Sequence, residues 1–394
     1  MRILHITDTM DYASGVSRYI QEVTDLFRSK GHVADVWSPP GIGDDAGSLF
    51  TRLLGFRYCK DVRRVLREGR YDILHAHNVL MRLSPLPLRE ARTFKIPVAL
   101  TVHDFTLLCP RKWMISDRDE PCESVFGTAC LVRNCRSSKP ALGWMPYHDL
   151  RWLKVAFHRS LLKRYVNVLI CPSRILRDGI ERNLGGVLTA HVANFVHLPP
   201  APPMRPPGQK LVYAGRLSAE KGIEVLLRAL SFIVQTDPRV VLTIVGDGPV
   251  RKDLENLAAM LHIRDRVVFT GSREGPEVTR ILSESDLAVL PSLWFENGPM
   301  FALEALASGT PLIAARIGGL PELIRDGREG YLFERGQARD LADRILQALG
   351  DRQWLADART HARRAAETEF SPERHYQRLT ACYASIDNQR RARS

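Results

Sequence analysis

The sequence predicts an α/β protein built from two Rossmann-like, doubly wound domains that face one another across a central cleft. With 394 residues, the chain is longer than a single hydrophobic core usually supports. Short apolar runs alternate with amphipathic segments in both halves, a pattern typical of parallel sheets covered by helices. A proline-rich stretch at 197–209, HLPPAPPMRPPGQ, interrupts this alternation. It can neither continue a helix nor lie inside a sheet, so it is interpreted as a linker.

The first half, an N-terminal domain at 1–196, follows the alternation in order. Six runs predict strands: RILHIT, HVADVW, YDILHAH, IPVALTVHD, VNVLICPS and TAHVAN. The segment GVSRYIQEVTDLFRSKG predicts a helix after the first strand, because its apolar residues recur every three or four positions. Gly31 gives this helix a stop signal.

The second half restarts the pattern as a C-terminal domain at 210–370, followed by a helix and tail at 371–394. The predicted strands are KLVYAG, VVLTIVG, RVVFTG, DLAVLPS, PLIAAR and GYLF, and the predicted helices lie near 220–236, 250–262, 274–284, 299–308 and 338–350. Doubly wound sheets bind ligands beyond the carboxyl ends of their strands. The loops after these strands are therefore the first candidates for a site.

The net charge of +12 is concentrated in the first half of the chain. Residues 1–208 carry 30 lysines and arginines against 19 acidic residues, whereas 209–394 carry 26 against 25. This asymmetry points to an anionic partner, such as a phosphorylated substrate or an anionic membrane surface. No nucleic-acid-binding motif accompanies the charge, so nucleic acid is not expected as a partner.

The stretch GRLSAEKG at 215–222 lies where a predicted strand meets a helix. Arg216 and Lys221 could converge there on one phosphate group, together with the amide groups of a helix start. The alternative is a surface turn with ordinary basic residues. The next predicted strand ends in GDGP at 246–249, where small residues permit close approach of the backbone. Gly215 and Gly246 are candidates for donor binding.

The stretch FENGPMFALEAL at 295–306 follows the predicted strand DLAVLPS. A helix is expected to begin near Gly298 or Pro299, since proline suits a first helical turn. Glu296 then lies in the loop and Glu304 in the second helical turn, and ionised carboxylates can accept hydrogen bonds from sugar hydroxyls. The alternatives are that Glu304 is a solvated helix residue and that Glu296 is an acid in the first helical turn. The free amides expected to form an anion site belong to Gly298, Met300 and Phe301.

These motifs carry a family resemblance. The segment ENGPMFALEALASGTPLIAARIGGLPELIRDGREGYLF, at 296–333, together with GRLSAEKG, resembles the donor-binding half of the retaining glycosyltransferases of family 4, the "glycosyl transferases group 1" type. The resemblance implies the GT-B architecture, with a nucleotide sugar bound mainly by the C-terminal domain. It also implies that the C-terminal helix returns toward the N-terminal domain.

The resemblance also implies roles for individual residues. Arg216 and Lys221 would stabilise the diphosphate, and Glu304 would bind the ribose hydroxyls. Glu296 and the amides at 298–301 would hold the transferred sugar and a phosphate, with Pro299 shaping this turn. No divalent metal or other cofactor is then expected, because the two cations neutralise the diphosphate and the nucleotide sugar is itself a substrate.

Two further residues resemble family positions in the first half. His103, in TVHDF, is similar to the histidine that meets the donor sugar; a core histidine is the alternative. Gly15 lies in ASGVSRY, where many family members carry two adjacent glycines at the first strand–helix loop. Ser14 takes the place of one of them here.

Two stretches of the sequence match metal-binding patterns only in part. The DRD at 117–119 matches the Asp-x-Asp of metal-dependent glycosyltransferases of another fold class, but it lies in a polar loop and is interpreted as solvated. Four cysteines in the loop after HDF leave a structural zinc open as an alternative, although their spacings lack a C-x-x-C pair. They are Cys109, Cys122, Cys130 and Cys135.

Two basic segments leave a membrane contact open. At 57–70 the basic side chains of Arg57, Lys60, Arg64 and Arg67 follow helical spacing, and 149–165 interleaves apolar residues with cations such as Arg159. The alternative is that the apolar faces pack on the sheet. RILHIT begins directly after Met1 and does not read as a leader, so a cytoplasmic, at most peripheral, location is expected.

The sequence thus predicts a retaining, metal-independent glycosyltransferase of the hexosyltransferase type. The expected donor is a nucleoside diphosphate sugar, and the expected acceptor is a saccharide, carried on a lipid, in the synthesis of cell-surface polysaccharide or glycolipid. Two alternatives remain open: a GT-B sugar-nucleotide epimerase, and a non-catalytic assembly partner that binds sugar nucleotides.

Overall fold

A computed structural model describes residues 1–8, 10, 15–39, 56–80, 83–110, 114–116, 120, 122, 126–127, 130, 140–142, 145–200 and 208–391. The chain divides into two compact units. The first comprises Met1–Ala193 and His375–Ser394, and the second comprises Asn194–Arg374. Each unit is built around its own parallel six-stranded sheet.

The sheet of the first unit has the spatial strand order β2-β1-β3-β4-β7-β8. Its strands are β1 (Arg2–Thr7), β2 (Val33–Trp37), β3 (Ile73–His77), β4 (Val98–Thr101), β7 (Val168–Cys171) and β8 (Leu188–His191). A separate antiparallel pair is formed by β5 (Pro140–Leu142) and β6 (Met145–Pro146). Central strands β3, β4 and β7 are buried along their whole length, as expected for a parallel sheet covered on both faces.

Helices cover this sheet. They are α1 (Gly15–Ser29), α2 (Cys59–Gly69), α3 (Glu90–Thr93), α4 (Tyr147–Tyr165), α5 (Arg174–Leu184) and, at the end of the chain, α12 (Pro372–Arg391). The predicted helix after the first strand is observed as α1, and the apolar residues at helical spacing are its buried face. From His375 onward, α12 belongs to the first unit, and Leu379, Tyr383 and Ile386 are buried there.

The sheet of the second unit has the order β11-β10-β9-β12-β13-β14. Its strands are β9 (Lys210–Ala214), β10 (Val241–Val245), β11 (Val267–Gly271), β12 (Leu287–Leu290), β13 (Leu312–Ala315) and β14 (Gly330–Phe333). The chain first builds outward from β9 to β11, then crosses to the other side of β9 and continues from β12. The order of the strands therefore reverses at the neighbouring strands β9 and β12. Doubly wound sheets bind ligands beyond the carboxyl ends of the strands at such a switch point.

The helices of the second unit are α6 (Ile223–Thr236), α7 (Arg251–Met260), α8 (Gly275–Ser283), α9 (Met300–Ala307), α10 (Ala338–Gly350) and α11 (Arg352–Glu369). The fold class predicted from the sequence is confirmed: each unit is a doubly wound, Rossmann-like α/β domain. Helix α11 was not predicted, because its buried face consists largely of alanines and gives a weak hydrophobic period.

Candidate functional site

Four loops meet at the carboxyl ends of the strands in the second unit. The amide of Leu217, after β9, donates to the carbonyl of Asp247 after β10 at 2.9 Å, and the amide of Leu293, after β12, donates to the carbonyl of Glu220 at the same distance. The loop after β13 joins them, since the amide of Gly319 donates to the carbonyl of Glu296 at 2.7 Å. Backbone hydrogen bonds thus fix the loops that carry the predicted donor motifs.

Glycine is required where two of these loops touch. Gly246 has a φ of +131°, and a Cβ built on it would lie 2.0 Å from the carbonyl oxygen of Gly215. No side chain fits at that distance, because the obstacle is backbone that is itself held by the sheet. The backbone thus approaches closely at the GDGP turn, where small residues were predicted to permit it. Donor binding by Gly215 and Gly246 stays a prediction.

Substituting Gly246 by alanine is expected to destabilise the second unit by about 3 kcal/mol, through a steric clash and backbone strain together. Chemical denaturation measures the effect. Gly275→Ala is the matched control, since a Cβ there meets nothing within 4 Å, and we expect it to change stability by less than about 0.5 kcal/mol. Equal stability of the two variants would show that the loops can separate without cost.

Glu296 is the most constrained side chain of these loops. Its Oε1 accepts hydrogen bonds from Lys221 Nζ at 2.8 Å, Ser292 Oγ at 2.7 Å and Trp294 Nε1 at 2.9 Å, and only 6% of the residue is exposed. Burial by itself would raise the pKa of this carboxyl. The charge of Lys221 and the three hydrogen bonds outweigh burial and lower the pKa, so Glu296 is ionised at neutral pH.

All three donors use the same oxygen. Oε2 of Glu296 accepts no hydrogen bond from any residue within the described ranges. Lys221 also lies over the ring of Trp294, with Nζ 4.7 Å from the ring centroid, which fixes the ammonium group from a second side. The arrangement holds one carboxylate oxygen firmly and leaves the other able to accept hydrogen bonds from a ligand.

Helix α9 begins at Met300, slightly later than predicted. Pro299 precedes the helix with an extended ψ of 132°, and the carbonyl of Gly298 accepts a hydrogen bond from Asn194 Nδ2 at 2.8 Å. With this extended ψ, Pro299 lies outside the helix, which starts past the proline. The first amides of α9, at Met300 and Phe301, have no partner inside the helix and remain available to an anion.

The remaining predicted residues of the second unit lie around this centre. Glu304 is in the second turn of α9, as predicted, and is half-buried. Arg216 has an exposed side chain, and its carbonyl accepts a hydrogen bond from the hydroxyl of Tyr213 at 3.1 Å. The side chain of Phe301 is buried beside the ring of Tyr213, so only its backbone amide could serve a ligand.

Sequence analysis missed Ser292 and Trp294, which orient Glu296. Their only signal in the sequence is proximity, because residues 292, 294 and 296 lie within five positions of one another directly after β12. Asn194 was also missed. It is buried, and its Oδ1 has no hydrogen-bond partner in the part of the chain that the structure describes.

His103 and Gly15 lie in the first unit. Gly15 is the exposed first residue of α1, and Ser14 lies outside the described residues. His103 follows β4 and is half-buried, with its Nε2 3.2 Å from Nδ1 of His77. Burial lowers the pKa of His103 to about 3, so its ring is neutral at neutral pH.

Of the predicted cysteine cluster, Cys109 and Cys130 are buried and Cys122 is half-buried. Cys135 lies outside the described residues, as does the DRD at 117–119. Across the described ranges, one group of three close potential metal ligands occurs, and it consists of His5, His75 and His77 rather than cysteines.

Two family models match the chain in consecutive order. The model "Glycosyl transferase 4-like domain" matches residues 14–194, and "Glycosyl transferases group 1" matches residues 201–368. Together they cover both doubly wound units. Each half of the chain therefore matches a model of a glycosyltransferase family.

Among curated relatives, the chain is 33% identical over 176 residues to the N-acetyl-alpha-D-glucosaminyl L-malate synthase of Bacillus anthracis, covering 45% of each chain. It is 28% identical over 298 residues to the D-inositol 3-phosphate glycosyltransferase of Arthrobacter sp., covering 74% of this chain and 65% of that one. With the Arabidopsis thaliana sulfoquinovosyl transferase SQD2, the matched part spans only 27% of the relative. The matches thus cover less than two thirds of these relatives' lengths.

Solved structures share the fold of this chain. Anabaena Alr3699/HepE in complex with UDP superposes with a TM-score of 0.72 at 20% identity, covering 98% of this chain and all of that one. Sucrose-phosphate synthase from Thermosynechococcus elongatus gives a TM-score of 0.73 at 18% identity, covering 99% and 100%. At these identities the likeness establishes the fold.

The two basic segments differ in the exposure of their cations. On α2, Lys60, Arg64 and Arg67 are exposed while the apolar side chains face inward. On α4, Arg159 was predicted to belong to the charged face but is buried, because its guanidinium donates to the carbonyls of Leu107 and Asn183. None of the helices within the described residues is long and apolar enough to cross a bilayer.

Proposed function

We propose that this chain transfers a hexosyl group from a nucleoside diphosphate sugar to a saccharide hydroxyl, with retention of configuration and without a divalent metal. The observation that carries the proposal is the geometry of Glu296, which is buried, ionised and held through Oε1 beside Lys221, with Oε2 open to a ligand. The solved relative Alr3699/HepE, with structures in complex with UDP and with UDP-glucose, supports this class of donor.

In this proposal different residues of these loops bind different groups of the donor. Lys221 and Arg216 supply positive charge for the diphosphate, and the first amides of α9 donate to one of its phosphate groups. Glu304 accepts hydrogen bonds from the ribose hydroxyls. Oε2 of Glu296 accepts hydrogen bonds from the hydroxyls of the transferred sugar. For His103, the family resemblance supports a contact with the donor sugar.

The transfer step needs no nucleophile from the protein. The bond between the anomeric carbon and the diphosphate oxygen breaks while the acceptor oxygen bonds to the same face of that carbon. The proton of the acceptor hydroxyl passes to the departing phosphate oxygen. Lys221 and Arg216 stabilise the negative charge that develops on this phosphate, and the protein's contribution is positioning and electrostatic stabilisation.

The proposed acceptor and the proposed location rest on the excess of positive charge in the first half of the chain. The excess of basic residues in 1–208, with the exposed cations of α2, favours an acceptor presented at an anionic surface. We therefore propose a lipid-linked saccharide as the acceptor and the cytoplasmic face of a membrane as the place of action, in the synthesis of cell-surface polysaccharide or glycolipid.

A thermal-shift screen of the purified protein against UDP, GDP, ADP, TDP and their sugar conjugates tests the donor site. One nucleotide family is expected to raise the melting temperature, because a ligand that binds only the folded state stabilises it. Arg216→Ala and Glu304→Ala should abolish the shift. The matched control is Glu224→Ala, which removes an exposed glutamate from α6 in the same unit and should leave the shift intact.

A second measurement separates transfer from binding alone. With the stabilising sugar nucleotide and a mixture of lipid-linked saccharides, radiolabelled sugar is expected to appear in the acceptor. Stabilisation without transfer or hydrolysis would favour a non-catalytic partner, and conversion of the donor into its epimer would favour an epimerase. A wild-type protein that none of the nucleotides stabilises would contradict the proposed donor site.

A further inference from the structure

A connected set of buried imidazoles lies at the switch point of the first unit. In the pairing of β1 with β3, His5 is opposite His75 and Thr7 is opposite His77. Because side chains alternate along a strand, His5, His75 and His77 share one face of the sheet. All three are fully buried, and His103 follows the neighbouring strand β4.

Three of these rings form a continuous chain. Nδ1 of His5 lies 3.0 Å from Nε2 of His77, and Nδ1 of His77 lies 3.2 Å from Nε2 of His103. At one end, Nε2 of His5 is buried without a hydrogen-bond partner among the described residues. At the other end, Nδ1 of His103 has no partner within the described ranges either.

Burial lowers the pKa values of His5, His77 and His103 far below neutrality. Each ring is therefore uncharged and carries one hydrogen and one lone pair. Neutral imidazoles in a chain must all donate in the same direction. Either every ring carries its hydrogen on Nδ1, or every ring carries it on Nε2.

The two directions differ at the buried end. If the rings carry their hydrogens on Nδ1, the buried Nε2 of His5 has only a lone pair. If they carry them on Nε2, this atom is an N–H group without an acceptor among the described residues. Unpaired buried N–H groups are the rarer of the two in native proteins. The positive charge of Arg28 acts on His5, and a cation also favours a lone pair over a polar hydrogen.

We propose that His5 and His77 are positioning residues that hold His103 in the Nδ1–H tautomer, so that His103 presents a hydrogen-bond donor to its ligand. His5 Nδ1–H donates to His77 Nε2, and His77 Nδ1–H donates to His103 Nε2. The open Nδ1–H of His103 then selects an acceptor atom, such as a sugar or phosphate oxygen. The proposed tautomer of His103 does not depend on the proposed function. The identity of its ligand does rest on the proposed function.

A metal ion explains the cluster less well. The potential ligand atoms of His5, His75 and His77 lie within 4.8 Å of one another. However, both nitrogens of His75 already have hydroxyl partners at 2.7 Å, Thr101 and Tyr383, and both nitrogens of His77 have imidazole partners. A metal would have to displace these hydrogen bonds, whereas the imidazole chain uses every nitrogen except the two at its ends.

Nuclear magnetic resonance of the full chain labelled with ¹⁵N-histidine reads the tautomers directly, and His103→Gln assigns the signal of His103. The expected result is a protonated Nδ1 and an unprotonated Nε2 in His103 without any ligand. A protonated Nε2, an imidazolium, or histidine signals that change when EDTA is added would overturn the proposal. This measurement needs no donor, so it stands whether or not the proposed function does.

Two substitutions at His5 test the direction of the chain. His5→Asn keeps a side-chain N–H near the position of Nδ1, and His103 should retain its tautomer. An ionised aspartate in His5→Asp offers only acceptor oxygens, so His77 and His103 should then reverse. With UDP-glucose as the probe, His5→Asp should weaken binding about fivefold, the effect of one neutral hydrogen bond, while His5→Asn stays within about twofold.

His32→Gln is the control, since it removes a histidine of the same unit that bonds to the amino terminus and Tyr376 instead of to the chain. If both His5 variants lost affinity equally while His103 kept its tautomer, the role of His5 would be structural and the proposal would fail. Should His5→Asp not fold, the tautomers of the wild type and of His5→Asn still decide the direction. Wild-type tautomers as expected, with no binding of any nucleotide sugar, would count against the proposed function alone.

Discussion

Lys221→Met is expected to weaken binding of the stabilising nucleoside diphosphate about 10- to 100-fold, because it removes a charged hydrogen-bond donor from the proposed phosphate site. The same substitution should lower the free energy of unfolding by about 3 kcal/mol, since it leaves the carboxylate of Glu296 buried without a counter-ion. Isothermal titration with the nucleotide and denaturation with urea measure the two effects separately.

A double variant separates the two roles of the lysine. In Lys221→Met with Glu296→Gln, the neutral amide still accepts hydrogen bonds from Ser292 and Trp294, so most of the lost stability should return while nucleotide binding stays weak. Lys252→Met removes the same charge at an exposed position on α7. This control should change neither the nucleotide affinity nor the free energy of unfolding. Normal nucleotide affinity in Lys221→Met would remove the lysine from the proposed donor site.

The fold could be predicted because its signals are local. Strands such as β12 and β13 are short apolar runs bounded by turn residues, and helices such as α6 and α10 show a clear period of 3.6. Helix α11 shows the limit of this approach. Its alanine-rich buried face packs well against its neighbours, but alanine contributes little to a hydrophobic period.

The site could be predicted in part for the same reason. Glu296, the start of α9 and Glu304 lie within one short stretch, so their spacing alone relates them. The partners of His103 could not be found in this way, because they come from β1 and β3, and the register of these strands decides that His5 and His77 share a face. The burial of Arg159 likewise depends on carbonyls at Leu107 and Asn183, which are distant in sequence.

Acidification is expected to destabilise the first unit steeply between pH 6.5 and pH 4.5. Burial lowers the pKa values of His5 and His103 to about 3 and that of His375 to about 4, and those of His75 and His77 lie well below the usual 6.5. Below pH 6.5 the unfolded chain takes up protons that the folded chain cannot, so stability is full above this pH and falls as the pH decreases. Each histidine contributes about 1.4 kcal/mol per pH unit.

The pH window distinguishes histidines from carboxylates. Glu296 has a lowered pKa and contributes stability that is lost only as the pH falls below its ordinary value of 4.5. Melting temperature measured from pH 7.5 to pH 4.5 should therefore report the histidines. His5→Phe should reduce the slope of unfolding free energy against pH by about 1.4 kcal/mol per unit, whereas His262→Asn, at an exposed histidine, should not. A melting temperature that stays constant down to pH 5 would mean that the imidazoles accept protons in the folded state. Neutral rings could then no longer set the tautomer of His103.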